Sequence, residues 1–216
     1  MEKLKIRHFV LGELATNCFL IEQGKSAIVV DPAVPDSRIV QLLQAENLQL
    51  DFIINTHGHI DHIGGNTFLK EKYPQAQLVI FEKEVAYLSH PELNMSLELG
   101  APYYSPPPDV VITEESLNLN WQGEVIQFFP SPGHTAGSVC LFFPAEKWLL
   151  SGDTLFAGSI GRTDLPGGDM SQLLDSLSAI CQLFPPESKV FPGHGPFTEL
   201  KTELESNPFL LEYLDL

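Results

Sequence analysis

Thr56-His57-Gly58-His59-Ile60-Asp61-His62, directly after the apolar run Phe52-Ile53-Ile54, decides how the rest of the chain is read. Four metal-competent side chains fall within six positions, with glycine at 58 and again at 64 and 65. Imidazole and carboxylate suit zinc, iron and manganese, and no thiolate in the stretch demands a softer ion. The run reads as a strand ending in a glycine-rich loop, because helical zinc signatures place their histidines four apart on one face. His57 and His59 are two apart, so in extended backbone they project to the same side. Asp61 and His62 are neighbours and are expected to diverge. Two pairs of ligands aimed at neighbouring points predict two metal ions rather than one.

Three later segments repeat the pattern of a strand delivering a polar residue beside glycine. Val125–Phe129 leads to Ser131-Pro132-Gly133-His134, Trp148–Leu150 to Ser151-Gly152-Asp153, and Val190–Phe191 to Pro192-Gly193-His194. Ligands on loops that leave one edge of a layered sheet can converge although far apart in sequence. Five of the seven histidines occupy such positions. His8, inside a strand, and His90, before a proline, lack the context and read as structural or solvated. Cys18 and Cys140 sit among apolar residues and read as core.

Outward from these loops the chain reads as alternating strands and helices. Ile6–Val10, Cys18–Glu22, Ala27–Val30 and Asp51–Asn55 are predicted strands. A helix follows Pro35-Asp36-Ser37, with Ile39, Val40, Leu42 and Leu43 on one face. Asn66–Tyr73 is a second helix, stopped by Pro74, and Gln77–Phe81 another strand. Glu82–Ser89 is a further helical candidate, whereas Pro106-Pro107-Pro108 excludes one. Tyr103 and Tyr104 either line a substrate mouth or cap the core. The pattern then resumes with Val125–Phe129, Ser138–Phe143 and Trp148–Leu150. The clearest helix is capped by Asp169, keeps Met170, Leu173, Leu174, Leu177, Ile180 and Phe184 at helical spacing, and stops at Pro185-Pro186. No linker or repeat interrupts the sequence, so residues 1–216 are expected to form a single domain.

Composition narrows the function classes. At 44% hydrophobic and 19% charged, the 216 residues carry ample material for a core. Twelve basic against 28 acidic residues leave a formal charge of −16, a field that repels phosphate backbones and anionic membranes. Nucleic acid and membrane are therefore not expected as partners, and no apolar run approaches the roughly 18 residues that span a bilayer. Three cysteines without a CxxC pair fit a reducing cytoplasm. The start, Met1-Glu2-Lys3-Leu4-Lys5, is not followed by the apolar stretch of a secretory signal.

The HxHxDH loop, then Pro132-Gly133-His134-Thr135, Gly152-Asp153-Thr154 and Pro192-Gly193-His194-Gly195, resemble in this order the metallo-β-lactamase superfamily. Within it, Thr16-Asn17-Cys18-Phe19, Gly133-His134-Thr135-Ala136-Gly137-Ser138 and Ser151-Gly152-Asp153-Thr154-Leu155-Phe156 are similar to glyoxalase II and its short relatives. The resemblance implies an α/β fold, a four-layer αββα sandwich of two mixed sheets flanked by helices. It implies that His57, His59 and His134 hold one metal ion. Asp61, His62 and His194 would hold a second, and Asp153 would bridge both. Asp31 resembles the aspartate that supports this site from behind, where a carboxylate can orient a ligand imidazole; capping the turn at Pro32 is the alternative. Glyoxalase II also carries a helical C-terminal domain that contacts glutathione. Only 22 residues follow His194 here, so no separate substrate domain is expected.

The reaction implied is hydrolysis of a small thioester, of the S-lactoylglutathione type, by a hydroxide that two metal ions make available at neutral pH. Zinc is the expected metal, with iron or manganese as alternatives, and Asp61 and Asp153 are the expected catalytic carboxylates. The substrate is a small-molecule thioester with glutathione as the candidate carrier. Gly161-Arg162-Thr163-Asp164 also resembles the persulfide dioxygenases of the same fold. These use one iron, which here would rest on His57, His134 and Asp153. A third reading is a metal-binding protein without catalysis. Arg162 is expected either to bind a substrate carboxylate bidentately or to pair with Asp164 or Asp169. β-Lactam cleavage is disfavoured by the lack of an export signal, and nuclease action by the charge.

Overall fold

The computed structural model describes residues 3–213, so Met1 and Glu2 of the N-terminal stretch lie outside the described residues. The chain divides into two compact units, Met1–Thr113 and Glu114–Leu216. Each is built on a six-stranded mixed sheet with helices packed on it.

In the first unit the sheet runs β1 (Lys5–Leu11), β2 (Thr16–Gln23), β3 (Ser26–Val30), β4 (Gln49–Ile54), β5 (Gln77–Phe81) and β6 (Val110–Ile112), in that spatial order. The first three strands are antiparallel and the rest parallel. Parallel strands need crossovers, and helices supply them between β3 and β5. Helix α1 (Ser37–Ala45) begins where the Asp36 carboxylate accepts the Arg38 N–H at 2.7 Å. Its Ile39 and Leu43 join Cys18, Leu20, Val29, Ile53, Leu78 and Ile80 in one apolar cluster. Helices α2 (Ile60–Ile63) and α3 (Asn66–Lys72) add Ile63 and Leu69 to it. The alternate residues Phe19, Ile21, Ile28, Val30, Ile54 and Val79 are equally buried, so both faces of the central strands are covered. Strands covered on both faces are uninterrupted apolar runs, as these are.

In the second unit the order is β14 (Thr198–Glu199), β13 (Lys189–Pro192), β10 (Trp148–Gly152), β9 (Val139–Phe143), β8 (Glu124–Pro130) and β7 (Asn118–Trp121). A small hairpin, β11 (Leu155–Phe156) and β12 (Ser159–Ile160), stands apart from it. Among the described residues of this unit only β10 and β13 pair in parallel, and α4 (Met170–Leu183) is the crossover between them. Asp169 caps α4 by accepting the Gln172 N–H at 2.9 Å. Leu173, Leu177 and Ile180 then pack with Cys140, Phe142, Leu149 and Val190. Helices α5 (Leu200–Ser206) and α6 (Pro208–Tyr213) bring Leu200 and Leu210 to the same cluster.

The expected strands and the two long helices are present with ends shifted by a few residues. Glu82–Leu88 is a 3₁₀ segment. β6, β7, β11, β12, β14 and α5 were not expected; most are too short to show a period. Residues 60–63, read as loop, form one helical turn in which His62 and Ile63 donate to the His59 carbonyl at 2.9 and 3.1 Å. Among the described residues, no helix is long and apolar enough to cross a membrane.

Candidate metal centre

The parallel pairing of β3 and β4 sets the first group of candidate ligands. Val30 lies opposite Ile54, so Asp31 and Asn55 leave the sheet side by side. Asp31 then has φ +52°, an uncommon conformation for a non-glycine residue, and the Asp31 N–H donates to the Ile54 carbonyl at 3.0 Å. Its buried carboxylate accepts from Thr56 N–H at 2.8 Å and from Thr56 Oγ1 at 2.7 Å. The same carboxylate lies 3.0 Å from His62 Nδ1, while Thr56 Oγ1 lies 3.2 Å from His57 Nδ1. One carboxylate thus fixes two imidazoles, one directly and one through a hydroxyl. With Nδ1 engaged, Nε2 of each ring is the atom available to a metal.

His57 and His59 are buried and their rings meet edge to face at 4.8 Å between centroids. The His57 and His62 rings are 4.0 Å apart. Asp61 and His62 do not diverge as their adjacency suggested. The helical turn brings Asp61 Oδ2 to 3.7 Å from His62 Nε2, with Thr16 Oγ1 donating to the same oxygen at 3.4 Å. Gly58 is required for space, since a Cβ there would lie 2.2 Å from Tyr87 Cβ. Its N–H donates to the fully buried Glu84 carboxylate at 2.7 Å, and the Ile60 N–H to the Asn94 carbonyl at 2.8 Å. The loop is therefore held by acceptors on three buried residues, Asp31, Glu84 and Asn94.

The second unit brings its candidate ligands from three strand ends. Gly152 pairs with Pro192 across the parallel β10–β13 ladder, and Gly193 N–H donates to the Gly152 carbonyl at 2.8 Å. Asp153 and His194 therefore leave adjacent strands at the same edge. His194 Nε2 lies 3.5 Å from Asp153 Oδ2, and His134 Nε2 lies 3.6 Å from that same oxygen. His134 Nδ1 meets the main-chain carbonyl of Arg162 at 2.8 Å. Gly161 allows this approach, because a Cβ there would sit 2.0 Å from the Asp153 carbonyl oxygen. Ser131 and Thr154 hydroxyls, 2.9 Å apart and buried, tie the loop before His134 to the residue after Asp153.

The donor set fits a divalent metal. The three imidazole–carboxylate separations of 3.5–3.7 Å exceed hydrogen-bonding distance. Two ligands bound at 2.0–2.2 Å to one tetrahedral ion stand about 3.3–3.6 Å apart, so two of the three separations fall in the range of atoms sharing an ion and the third lies just above it. Nitrogen and oxygen donors of this kind serve zinc, iron and manganese alike.

The other residues that the sequence singles out have these partners. The Arg162 guanidinium is exposed and engages Asp164 bidentately, with Nε–Oδ1 and Nη2–Oδ2 both 2.7 Å. That pair holds the Asp164 carboxyl down at about 2. What Arg162 contributes to the His134 position is its carbonyl. His8 bonds Asn17 Oδ1 at 2.7 Å and stacks on Phe19, and His90 Nδ1 reaches the Ala86 carbonyl at 2.8 Å. Burial pushes the Cys140 thiol up to about 11 and the Cys18 thiol well above its usual range, so neither is poised as a nucleophile. Tyr103 anchors by donating to the Ile63 carbonyl at 3.1 Å, while Tyr104 is exposed. Sequence reasoning missed Glu84 and the bracing role of Thr56. Thr56 stood inside the motif, but nothing around Glu84 marks it as buried.

The metallo-β-lactamase superfamily model matches residues 11–194. A probable metallo-hydrolase of Bacillus subtilis, YqgX, is 32% identical over 96% of this chain and 98% of its own length. The hydroxyacylglutathione hydrolase GloC of Haemophilus influenzae is 32% identical, covering 90% of this chain and 92% of its own. Among solved structures, the BLEG-1 B3 metallo-β-lactamase superposes with a TM-score of 0.89 at 34% identity, over 95% of this chain and 99% of that one. TTHA1623 in a di-iron-bound form does so with a TM-score of 0.83 at 33% identity, over 94% and 100%. On sequence and fold together, the chain belongs to the metallo-β-lactamase superfamily, with metallo-hydrolases among its relatives.

Proposed function

We propose that the chain is a metal-dependent hydrolase of small thioesters, of the S-lactoylglutathione type. Its two units would work as one domain, which the family model supports by running across both. In this reading His57, His59 and His134 hold one ion, Asp61, His62 and His194 the other, and Asp153 serves both. The observation that carries it is the single Asp153 oxygen standing at 3.5 and 3.6 Å from two imidazole nitrogens that belong to different ions in this assignment. Divalent ions bound there would lower the pKa of a water toward neutrality and polarise a carbonyl. Overall, water's oxygen joins the acyl carbon, the C–S bond breaks, and the thiol leaves with a proton from the water. A thiolate is a good leaving group, which suits a set of ligands that includes no evident proton donor.

The protein's own residues contribute orientation. Asp31 and Thr56 fix which nitrogen of His57 and His62 faces outward, and the Arg162 carbonyl does the same for His134. Zinc is the metal we favour. Iron is the alternative, supported by the di-iron-bound neighbour. A glutathione-linked substrate is supported by the name of the Haemophilus influenzae relative. A cytoplasmic setting fits the three free cysteines. The test is thioester cleavage and oxygen uptake on one metal-analysed sample, with S-lactoylglutathione and with glutathione persulfide. Thioester cleavage without oxygen uptake is expected. Oxygen uptake with the persulfide would replace the hydrolase by a dioxygenase.

A further inference from the structure

Beside Asp61 the first unit carries an open cleft of about 410 Å³. Its apolar wall comes from separate segments: Leu14 in the β1–β2 turn, Val34 after β3, Ile60 in α2, and Leu99 and Tyr103 in the segment before β6. Gly64 brings α2 against the chain after β3, since a Cβ there would lie 2.3 Å from the Ala33 carbonyl oxygen. Leu14 and Leu99 are 55% and 63% exposed, so two large aliphatic side chains from distant segments stand open to solvent at one cleft. Isolated exposed leucines are ordinary; two meeting in a concave site next to a candidate metal ligand are a binding feature.

The polar lining is one-sided. Glu13, Thr16 and Asp61 contribute it, and no lysine or arginine lines the cleft among the described residues. Anionic groups are therefore repelled, and a glutathione carrier has two carboxylates. We infer that the cleft receives the acyl half of the substrate, an uncharged aliphatic or aromatic chain longer than lactoyl. This rests on the thioester hydrolase reading and names its substrate class. The acyl chain lies along Leu14, Val34 and Leu99, the thioester end is toward Asp61, and the carrier stays outside.

The test compares N-acetylcysteamine thioesters of acetate, hexanoate and adipate, with their amide analogues as non-hydrolysed ligands for binding by saturation-transfer NMR. Hexanoyl should exceed acetyl in kcat/KM by about tenfold or more, from the added apolar burial. Adipoyl, of similar length but ending in a carboxylate, should fall about tenfold below hexanoyl. In Leu14→Ser/Leu99→Ser, whose positions are exposed and do not support the core, the hexanoyl-to-acetyl ratio should collapse toward one. Equal rates for acetyl and hexanoyl, adipoyl matching hexanoyl, or an unchanged ratio in the double variant would overturn the assignment. If no thioester is cleaved, the amides decide. A hexanoyl preference that needs Leu14 and Leu99 keeps the cleft, and the hydrolase reading then falls if S-lactoylglutathione is not cleaved either. Equal amide binding removes the cleft.

Discussion

The 56–62 loop and the 131–194 region both present histidines and a carboxylate, yet they hold them by different means. In the loop the ligands are contiguous, and buried side-chain carboxylates, Asp31 and Glu84, brace them. In the second region each ligand rides on its own strand end, and main-chain groups fix them. The Arg162 carbonyl engages His134, and the Gly193–Gly152 hydrogen bond joins the strands of His194 and Asp153. A contiguous loop has no sheet of its own to set its shape, so it needs acceptors from elsewhere. Strand ends inherit their positions from the ladder.

The contrast predicts where side-chain substitutions hurt. Asp31→Ala strips acceptors from Thr56 N–H, Thr56 Oγ1 and the His62 ring at once, all in buried surroundings. It should cost about 3–5 kcal/mol, read as a lower urea midpoint with chelator present so that metal loss does not contribute. A midpoint within experimental error of wild type would show that the loop does not depend on it. Next comes Gly161→Ala, which adds no charge and removes none. Its Cβ would meet main chain 2.0 Å away, so the Arg162 carbonyl must move off His134. About 2–4 kcal/mol and weaker metal retention are expected. Unchanged metal retention would separate His134 from its carbonyl support.

Glu84→Gln keeps the shape and an acceptor for Gly58 N–H but removes the charge, and should cost about 1–2 kcal/mol in the same unfolding assay. The smallest effect belongs to Arg162→Ala. The carbonyl that matters is retained, and the ion pair it loses is exposed and screened. The Asp164 carboxyl is depressed from its ordinary 3.8 to about 2, so whatever the pair contributes is present above the ordinary value and lost as pH falls through about 2. Between pH 5 and 8 that contribution is fully present, but a pair this exposed is worth little, so the melting temperatures of Arg162→Ala and wild type should nearly coincide there. A clear drop in that window would mean that the side chain, and not only the carbonyl, supports the loop.

Much of this was legible because strand ends and glycines leave marks in sequence. Apolar runs ending in Gly-His or Gly-Asp located His134, Asp153 and His194, and the parallel β10–β13 ladder explains why two of them share an edge. The capped, periodic helix at Asp169 was legible for the same local reason. The braces were not. Glu84 acts across a sequence gap of 26 residues on Gly58, and no spacing rule connects a 3₁₀ segment to a loop on another strand. The turn at 60–63 was missed because four residues are too few to show a helical period. Asp61 consequently points toward His62 rather than away from it. Arg162 stood out as a rare cation, but the residue two positions on takes its guanidinium.

In the proposed assignment one carboxylate, Asp153, serves two metal ions. Metal content per chain, titrated in wild type and in Asp153→Asn at equal free metal, tests it most directly. Wild type should hold two ions, and the variant should keep at most one at comparable affinity, because the amide offers no charge to share between two cations. Two ions retained in Asp153→Asn at wild-type affinity would contradict it.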